Sequence, residues 1–263
     1  MSGDMPPTST EFTLTTFNAL LKGFETSAMD KQWKLWETRV CVSSEKLKAR
    51  ASDIILWNEV NAEMMAHFRA QGVFHEFAIG KKGRAGGHHM QCAVSWNPGV
   101  FELEGTSEPL VYRNRCLFCR MKHLPSAKTL LIVSVHLAAG ENDEMEDMRV
   151  DQVHRILRAA FSYVPRVDGC ILAGDLNSDP RLSHMYTEKV HTLLTTNDSI
   201  PFHNISGFAA ATYNGWDELT FDYVYCNGLQ RTHPPRVDEM PRKAPNRNQG
   251  SDHTPVTVRV QIV

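Results

Sequence analysis

Six places in this chain share one arrangement, in which an apolar, strand-like run borders a polar side chain able to do chemistry. Asn18 follows Thr15-Thr16-Phe17, and Glu59 follows Ile54-Ile55-Leu56-Trp57-Asn58. His136 follows Leu131-Ile132-Val133-Ser134-Val135, and Asp175 and Asn177 follow Cys170-Ile171-Leu172-Ala173-Gly174. Asp222 comes after Leu219-Thr220-Phe221, and Asp252-His253 precede Pro255-Val256. One such residue reads equally well as a cap or a turn. Because polar groups at the mouths of apolar strands are unfavourable to bury without partners, the repetition points to strands whose ends converge on one cleft.

The residue types define the chemistry. Glu, Asp and Asn offer hard oxygen donors, which suit Mg²⁺ or Mn²⁺ and not zinc. Two histidines can donate to phosphate oxygens and stabilise the charge that develops in a transition state. A further carboxylate can deprotonate an attacking water. Together they read as a metal-assisted phosphoesterase. Within Asp175-Leu176-Asn177, alternation along a strand predicts that Asp175 and Asn177 share the cleft face while Leu176 turns to the core. Asp252 could orient the neighbouring His253 imidazole if a turn brings them together.

These residues need a scaffold. The pattern predicts strands at Phe12 to Phe17, Asp53 to Val60, Cys92 to Trp96, Phe101 to Leu103, Arg115 to Met121, Leu130 to His136, Gly169 to Leu176, Asp222 to Cys226 and Thr254 to Ile262. Helices are expected at Lys31 to Lys48, at Asn61 to Ala70 with Gly72 ending it, at Asp143 to Phe161 with Met148, Val153, Ile156 and Leu157 inward, and at Ser183 to Thr195. Strands fall in pairs with helices between the pairs. This suits an α/β fold of two mixed sheets packed face to face with helices outside, and not a doubly wound parallel sheet. Residues 1–10 are expected to be a disordered leader, and residues 11–263 one catalytic domain. Gly228 to Gly250, with four prolines and five arginines or lysines, reads as a long irregular loop.

Composition narrows the class. The formal net charge of −2 supplies no global positive field, so any affinity for nucleic acid must be local. No apolar stretch approaches the roughly 20 residues that span a bilayer. The six cysteines, Cys41, Cys92, Cys116, Cys119, Cys170 and Cys226, read mostly as small hydrophobes kept reduced in an intracellular, cytoplasmic or nuclear setting. A mitochondrial presequence pattern is lacking, and a mitochondrial setting stays open beside the other two. Cys116-Leu-Phe-Cys119 has no second pair and closes no zinc site.

The segments Thr16-Phe17-Asn18, Trp57-Asn58-Glu59-Val60, Ser134-Val135-His136-Leu137, Gly174-Asp175-Leu176-Asn177-Ser178, Phe221-Asp222-Tyr223-Val224 and Gly250-Ser251-Asp252-His253-Thr254-Pro255 resemble, in order, the motif set of the endonuclease/exonuclease/phosphatase superfamily. Phe17-Asn18-Ala19-Leu20, Trp36-Glu37-Thr38-Arg39, His89-Met90-Gln91-Cys92-Ala93-Val94 and Asp175-Leu176-Asn177-Ser178 are most similar to its deadenylase, nocturnin, angel and 2′-phosphodiesterase group. The resemblance implies a deoxyribonuclease I-like sandwich and a Mg²⁺ (or Mn²⁺) ion on Glu59, with Asn18 and Asp252 nearby. It implies Asp175 and Asn177 at the nucleophilic water, His136 and His253 at the phosphate, and Asp222 orienting a histidine.

It further implies single-stranded RNA or a nucleotide as partner. A 3′–5′ exoribonuclease is expected first; a small-nucleotide phosphatase and an abasic-site or DNA endonuclease are the alternatives. Several features depart from the group: Asn58 stands where it has Gln, Ala138-Ala139-Gly140 stands where deadenylases carry an aromatic residue and a proline, and the stretch between the Asp175 motif and Asp222 is short. Poly(A) preference is therefore not carried over. The basic loop Lys81 to His89 is expected to grip phosphate through Lys82, Arg84, His88 and His89. Tyr213, Trp216 and Phe118 are candidates for stacking on bases.

Overall fold

The computed structural model describes residues 9–21, 31–81, 90–107, 115–181, 188–208, 211–214, 218–240 and 245–263. In chain order the strands and helices are β1 (Glu11–Asn18), α1 (Trp36–Lys48), β2 (Ile54–Val60), α2 (Ala62–Ala70), β3 (Glu76–Ile79), β4 (Gln91–Trp96), β5 (Phe101–Ser107), β6 (Cys116–His123) and β7 (Lys128–His136). Then come α3 (Asp143–Phe161), β8 (Gly169–Asp175), α4 (Lys189–Thr195), β9 (His203–Asn204), β10 (Tyr213–Asn214), β11 (Glu218–Leu219), β12 (Asp222–Asn227), β13 (Leu229–Arg231), β14 (Arg236–Val237) and β15 (Val256–Ile262).

Two mixed sheets result. One has the order β13-β15-β1-β2-β4-β3, with β14 also on β15; the other has the order β5-β6-β7-β8-β12-β9. Each holds one parallel pair, β1 with β2 and β7 with β8, while its other pairings are antiparallel. The period-2 alternation of β7 explains the layering. Leu130 and Ile132 face the other sheet, in a core shared with Leu14, Leu56, Val94 and Val258. Leu131, Val133 and Val135 face outward, under Val153, Ile156 and Leu157 of α3 and Leu194 of α4. On the other sheet's outer face, Phe17, Ile55 and Trp57 meet Trp36 and Val40 of α1 and Met64 and Phe68 of α2. Strands covered on both sides read as continuous apolar runs. The result is the expected four-layer α/β sandwich.

Helix α3 begins at Asn142, whose side chain accepts from Met145 N at 2.9 Å, and carries Asp143, Glu144 and Glu146 in its first turn. Acidic groups there suit the positive end of the helix dipole. The expectation that Met148 turns inward fails, since it is 39% exposed. Arg149 and Gln152 occupy the inner face instead, because the loop after β7 has backbone polar groups to satisfy. Arg149 Nη1 donates to Ala138 O at 2.9 Å and Gly140 O at 2.8 Å, and Gln152 Oε1 accepts from Ala138 N at 2.9 Å.

Two further expectations are corrected. The loop Gly228 to Gly250 is not wholly irregular, because β13 and β14 inside it pair with β15. The helix expected over Ser183 to Thr195 covers Lys189–Thr195, and residues 182–187 lie outside the described residues. Residues 1–8 of the expected leader lie outside them too. None of the six cysteines forms a disulfide, and Cys116 and Cys119 are buried in β6. Among the described residues no helix is long and apolar enough to cross a membrane.

Candidate active site

Strand register builds the site. In one sheet, β7 pairs parallel with β8 so that His136 lies beside Asp175, and β8 pairs antiparallel with β12 so that Asp175 lies beside Asp222. Three residues far apart in sequence thus form a row across three strands. In the facing sheet Asn18 lies beside Asn58, at the ends of β1 and β2. The sheets are joined at this edge. Asn18 Nδ2 donates to Asp175 Oδ2 at 3.0 Å and to Glu59 Oε1 at 3.1 Å, and Asp175 N donates to Asn58 Oδ1 at 2.9 Å. Gly174 permits this approach. It has φ +148°, and a Cβ there would lie 1.8 Å from Val135 O and 2.9 Å from Asn58 Oδ1.

Glu59 reaches the cleft by breaking strand alternation. Positions two apart share a face, so a regular strand would send Glu59 with Trp57 into the outer core beneath α1 and α2. Instead the β2–β4 pairing shifts register between Trp57 and Val60, and Glu59 takes φ +52°. A bulge re-aims a side chain in this way, and a left-handed non-glycine residue is strained. Asn177 also has a left-handed backbone, φ +48°, beyond the end of β8. Asp175 and Asn177 do line one cleft, but through this turn and not through strand alternation. Asn177 N donates to Asp175 Oδ1 at 2.8 Å, and its Nδ2 donates to Leu137 O at 3.1 Å. Leu176 is fully buried, as expected.

The two histidines hold different charge states. His253 Nδ1 lies 2.7 Å from Asp222 Oδ2, and its Nε2 lies 3.6 Å from Asp175 Oδ2. Burial works against a charge on His253, but Asp222 and Asp175 outweigh it and push the imidazole up to about 10. The orienting carboxylate is therefore Asp222 and not the adjacent Asp252. His136 Nε2 lies 3.6 Å from Asp175 Oδ2 and 3.7 Å from Glu59 Oε1. Burial, helped by the charges of Arg115 and His253, holds it well below the usual histidine range, so it is neutral near pH 7. Burial likewise raises Asp175, against the pull of His253.

Burial and then the charge of Asp252 raise Glu59, against the Asn18 amide, the His253 charge and Leu21 N. Two carboxylates that repel one another in a half-enclosed oxygen-rich cleft fit a hard divalent cation. Asn18 fits a different role from ligand. Its Oδ1 accepts from Leu20 N at 3.1 Å, so its amide nitrogen is what faces the carboxylates. Asp175, Asp222 and His253 also cluster with ligand atoms within 4.8 Å. A protonated imidazole engaged by carboxylates is a poor ligand, so Glu59 and Asp252 suit a cation better.

The cleft has a volume of about 520 Å³, and its lining includes Glu59, His136, Asp175, Asn177, Asp252 and His253. Tyr213 joins them, its ring 4.9 Å from His253 and stacked on Phe221 at 5.2 Å. Phe118 does not. It is buried among Leu131, Val133 and Tyr163 under α3 and cannot stack on a base. Lys82, Arg84, His88, His89 and Trp216 lie outside the described residues. Sequence reasoning missed Arg115, Met90 and Glu141, which also line the cleft. It also missed Ser251, whose Oγ donates to Asn18 O at 2.7 Å. Arg115 was detectable in principle. In an antiparallel pair, the start of one strand lies beside the end of the next.

The two-sheet architecture is the fold seen in solved endonuclease/exonuclease/phosphatase structures. The endonuclease/exonuclease/phosphatase from Bacteroides vulgatus superposes with a TM-score of 0.77 at 14% identity, over 96% of this chain and 99% of that one. The human nocturnin catalytic domain with bound sulfate gives 0.71 at 18% identity, over 98% and 100%. ANGEL2, a 2′,3′-cyclic phosphatase in complex with adenosine-2′,3′-vanadate, gives 0.74 at 16% identity, over 96% of both chains. No family model matches the sequence, and no curated protein does.

Proposed function

We propose that this chain is a metal-assisted phosphoesterase of the endonuclease/exonuclease/phosphatase superfamily, acting on nucleic acid or nucleotides, and specifically a 3′–5′ exoribonuclease on single-stranded RNA. One observation carries the reading. Asn18 and Glu59 from one sheet meet His136, Asp175, Asp222 and His253 at the edge of both, joined by hydrogen bonds and by the approach of His136 Nε2 to within 3.7 Å of Glu59 and 3.6 Å of Asp175. The RNA reading draws support from Tyr213 beside His253, an aromatic face at the cleft where a base can stack.

A hard divalent cation would be held by Glu59 and Asp252 and would supply neutralisation of phosphate charge. The chain's own residues do the rest. Asp175, raised by burial and fixed by Asn18 Nδ2 and Asn177 N, takes the proton from the attacking water. Protonated His253 donates from Nε2 to a phosphate oxygen, with Asp222 holding Nδ1. Neutral His136 offers a second N–H beside it.

A second reading is a phosphatase on a small nucleotide. It is favoured by the likeness to ANGEL2 in complex with adenosine-2′,3′-vanadate. Labelled single-stranded RNA with Mg²⁺ distinguishes the two: progressive shortening from the 3′ end supports the exoribonuclease. Phosphate release from NADPH or from a nucleoside 2′,3′-cyclic phosphate, with RNA length unchanged, replaces it with the phosphatase.

A further inference from the structure

We infer that Arg115 grips the non-bridging oxygens of the substrate phosphate, as the fixed cation of the cleft; this rests on the phosphoesterase reading above. Arg115 stands one residue before β6, which pairs antiparallel with β7 so that Cys116 lies opposite Val135. Its backbone oxygen accepts from His136 N at 2.8 Å. The start of β6 therefore opens on the same cleft as the end of β7, and the Arg115 side chain lines that cleft with Glu59, His136, Asp175, Asn177 and His253.

Its partners are few for a half-buried cation. Among the described residues, Nη1 donates to Leu137 O at 3.1 Å, and no carboxylate lies within ion-pair distance. Other arginines with little exposure are matched: Arg50 with Asp238 at 2.7 Å and Arg149 with Glu146 at 2.8 Å. A guanidinium carries five N–H donors in a planar fork, and burying its charge without a counter-charge is unfavourable. Burial lowers Arg115, and Cys92, Glu59 and Asp175 offset this only from a distance. An anion is what this position lacks.

The geometry selects phosphate. Leu137 O also accepts from Asn177 Nδ2 at 3.1 Å, so one carbonyl anchors Arg115 and Asn177 together. The remaining donors of the fork can engage two oxygens of one phosphoryl group, the bidentate contact for which arginine is suited. Across the cleft, His253 donates to the same group.

The test is calorimetric binding of inorganic phosphate in the presence of Mg²⁺, with hydrolysis assayed on the same samples. Wild type is expected to bind. Arg115→Gln should bind roughly 10- to 100-fold more weakly, the worth of hydrogen bonds to a charged group, and KM should rise. Arg115→Lys, which keeps charge but not the fork, should lose several-fold and decides the matter if Arg115→Gln fails to fold by circular dichroism. Undiminished phosphate affinity in a folded variant overturns the assignment while leaving the phosphoesterase reading intact. A wild type that neither hydrolyses phosphoesters nor binds phosphate overturns both.

Discussion

His253 and Asp222, 31 residues apart in sequence, meet with Nδ1 to Oδ2 at 2.7 Å at the buried edge of the second sheet. The contact fixes which imidazole nitrogen faces the cleft and keeps that imidazole charged. Asp222→Asn removes the main source of that charge. We expect kcat to fall by about 100- to 10,000-fold, the usual worth of a positioned proton donor, with a smaller change in KM. Because Asp222 raises His253, the protonated form in wild type persists into alkaline solution. In the variant, the alkaline limb of the pH–rate profile should move to lower pH. A limb that stays in place excludes His253 as the donor.

Glu59→Gln tests the cation. In wild type, saturating Mg²⁺ should raise the melting temperature, since a ligand at about 100 times its Kd adds about 2.7 kcal/mol. A chelator should abolish both the shift and the activity. In Glu59→Gln the melting temperature should be indifferent to Mg²⁺ while the protein remains folded. An equal Mg²⁺ shift in the variant places the cation elsewhere.

His191 sets a pH window for stability. It is buried, with Nδ1 2.6 Å from Tyr225 Oη, and burial lowers it to about 4 from its ordinary 6.5. The fold therefore prefers the neutral ring, and the unfolded chain takes up the proton first as pH falls. The contribution of His191 should be full above pH 6.5 and decline towards pH 4, by about 3 kcal/mol at about 1.4 kcal/mol per unit. Burial also lowers His123 and His136, which add in the same direction, whereas the raised Glu59 and Asp175 act in the opposite one. Between pH 7 and pH 4 the denaturant midpoint of wild type should fall relative to that of His191→Gln. An unaltered slope removes His191 from the account.

Gly174→Ala tests the junction of the sheets. The new Cβ would lie 1.8 Å from Val135 O, on a residue with φ +148°. Strain and overpacking together should cost about 3 kcal/mol or more, read as a lowered unfolding midpoint. Any folded fraction should also lose activity, because Asp175 N and Asn58 Oδ1 would be forced apart. A variant with wild-type stability would show that the backbone relaxes freely there.

Much of this architecture is legible in the chain, because doubly covered strands leave uninterrupted apolar runs such as Leu130 to Val133, and capped helices leave marks such as Asn142 before Asp143. The six polar positions bordering such runs were legible for the same reason: polarity next to a buried strand stands out against it. Short strands such as β3, β13 and β14 left no comparable mark, and neither did the rotation of α3 that turns Arg149 inward in place of Met148. Those depend on what each segment meets.

The sequence by itself determined which residues are able to do chemistry, because side-chain type alone decides that Glu59, Asp175 and His253 can ionise or donate. Only the tertiary structure decided how they are placed. A bulge turned Glu59 out of the outer core, and register set Asp175 between His136 and Asp222. Burial and neighbouring charge gave the two histidines different protonation states. Register, bulges and electrostatics arise from contacts between segments distant in the chain, and such contacts leave no local pattern to read.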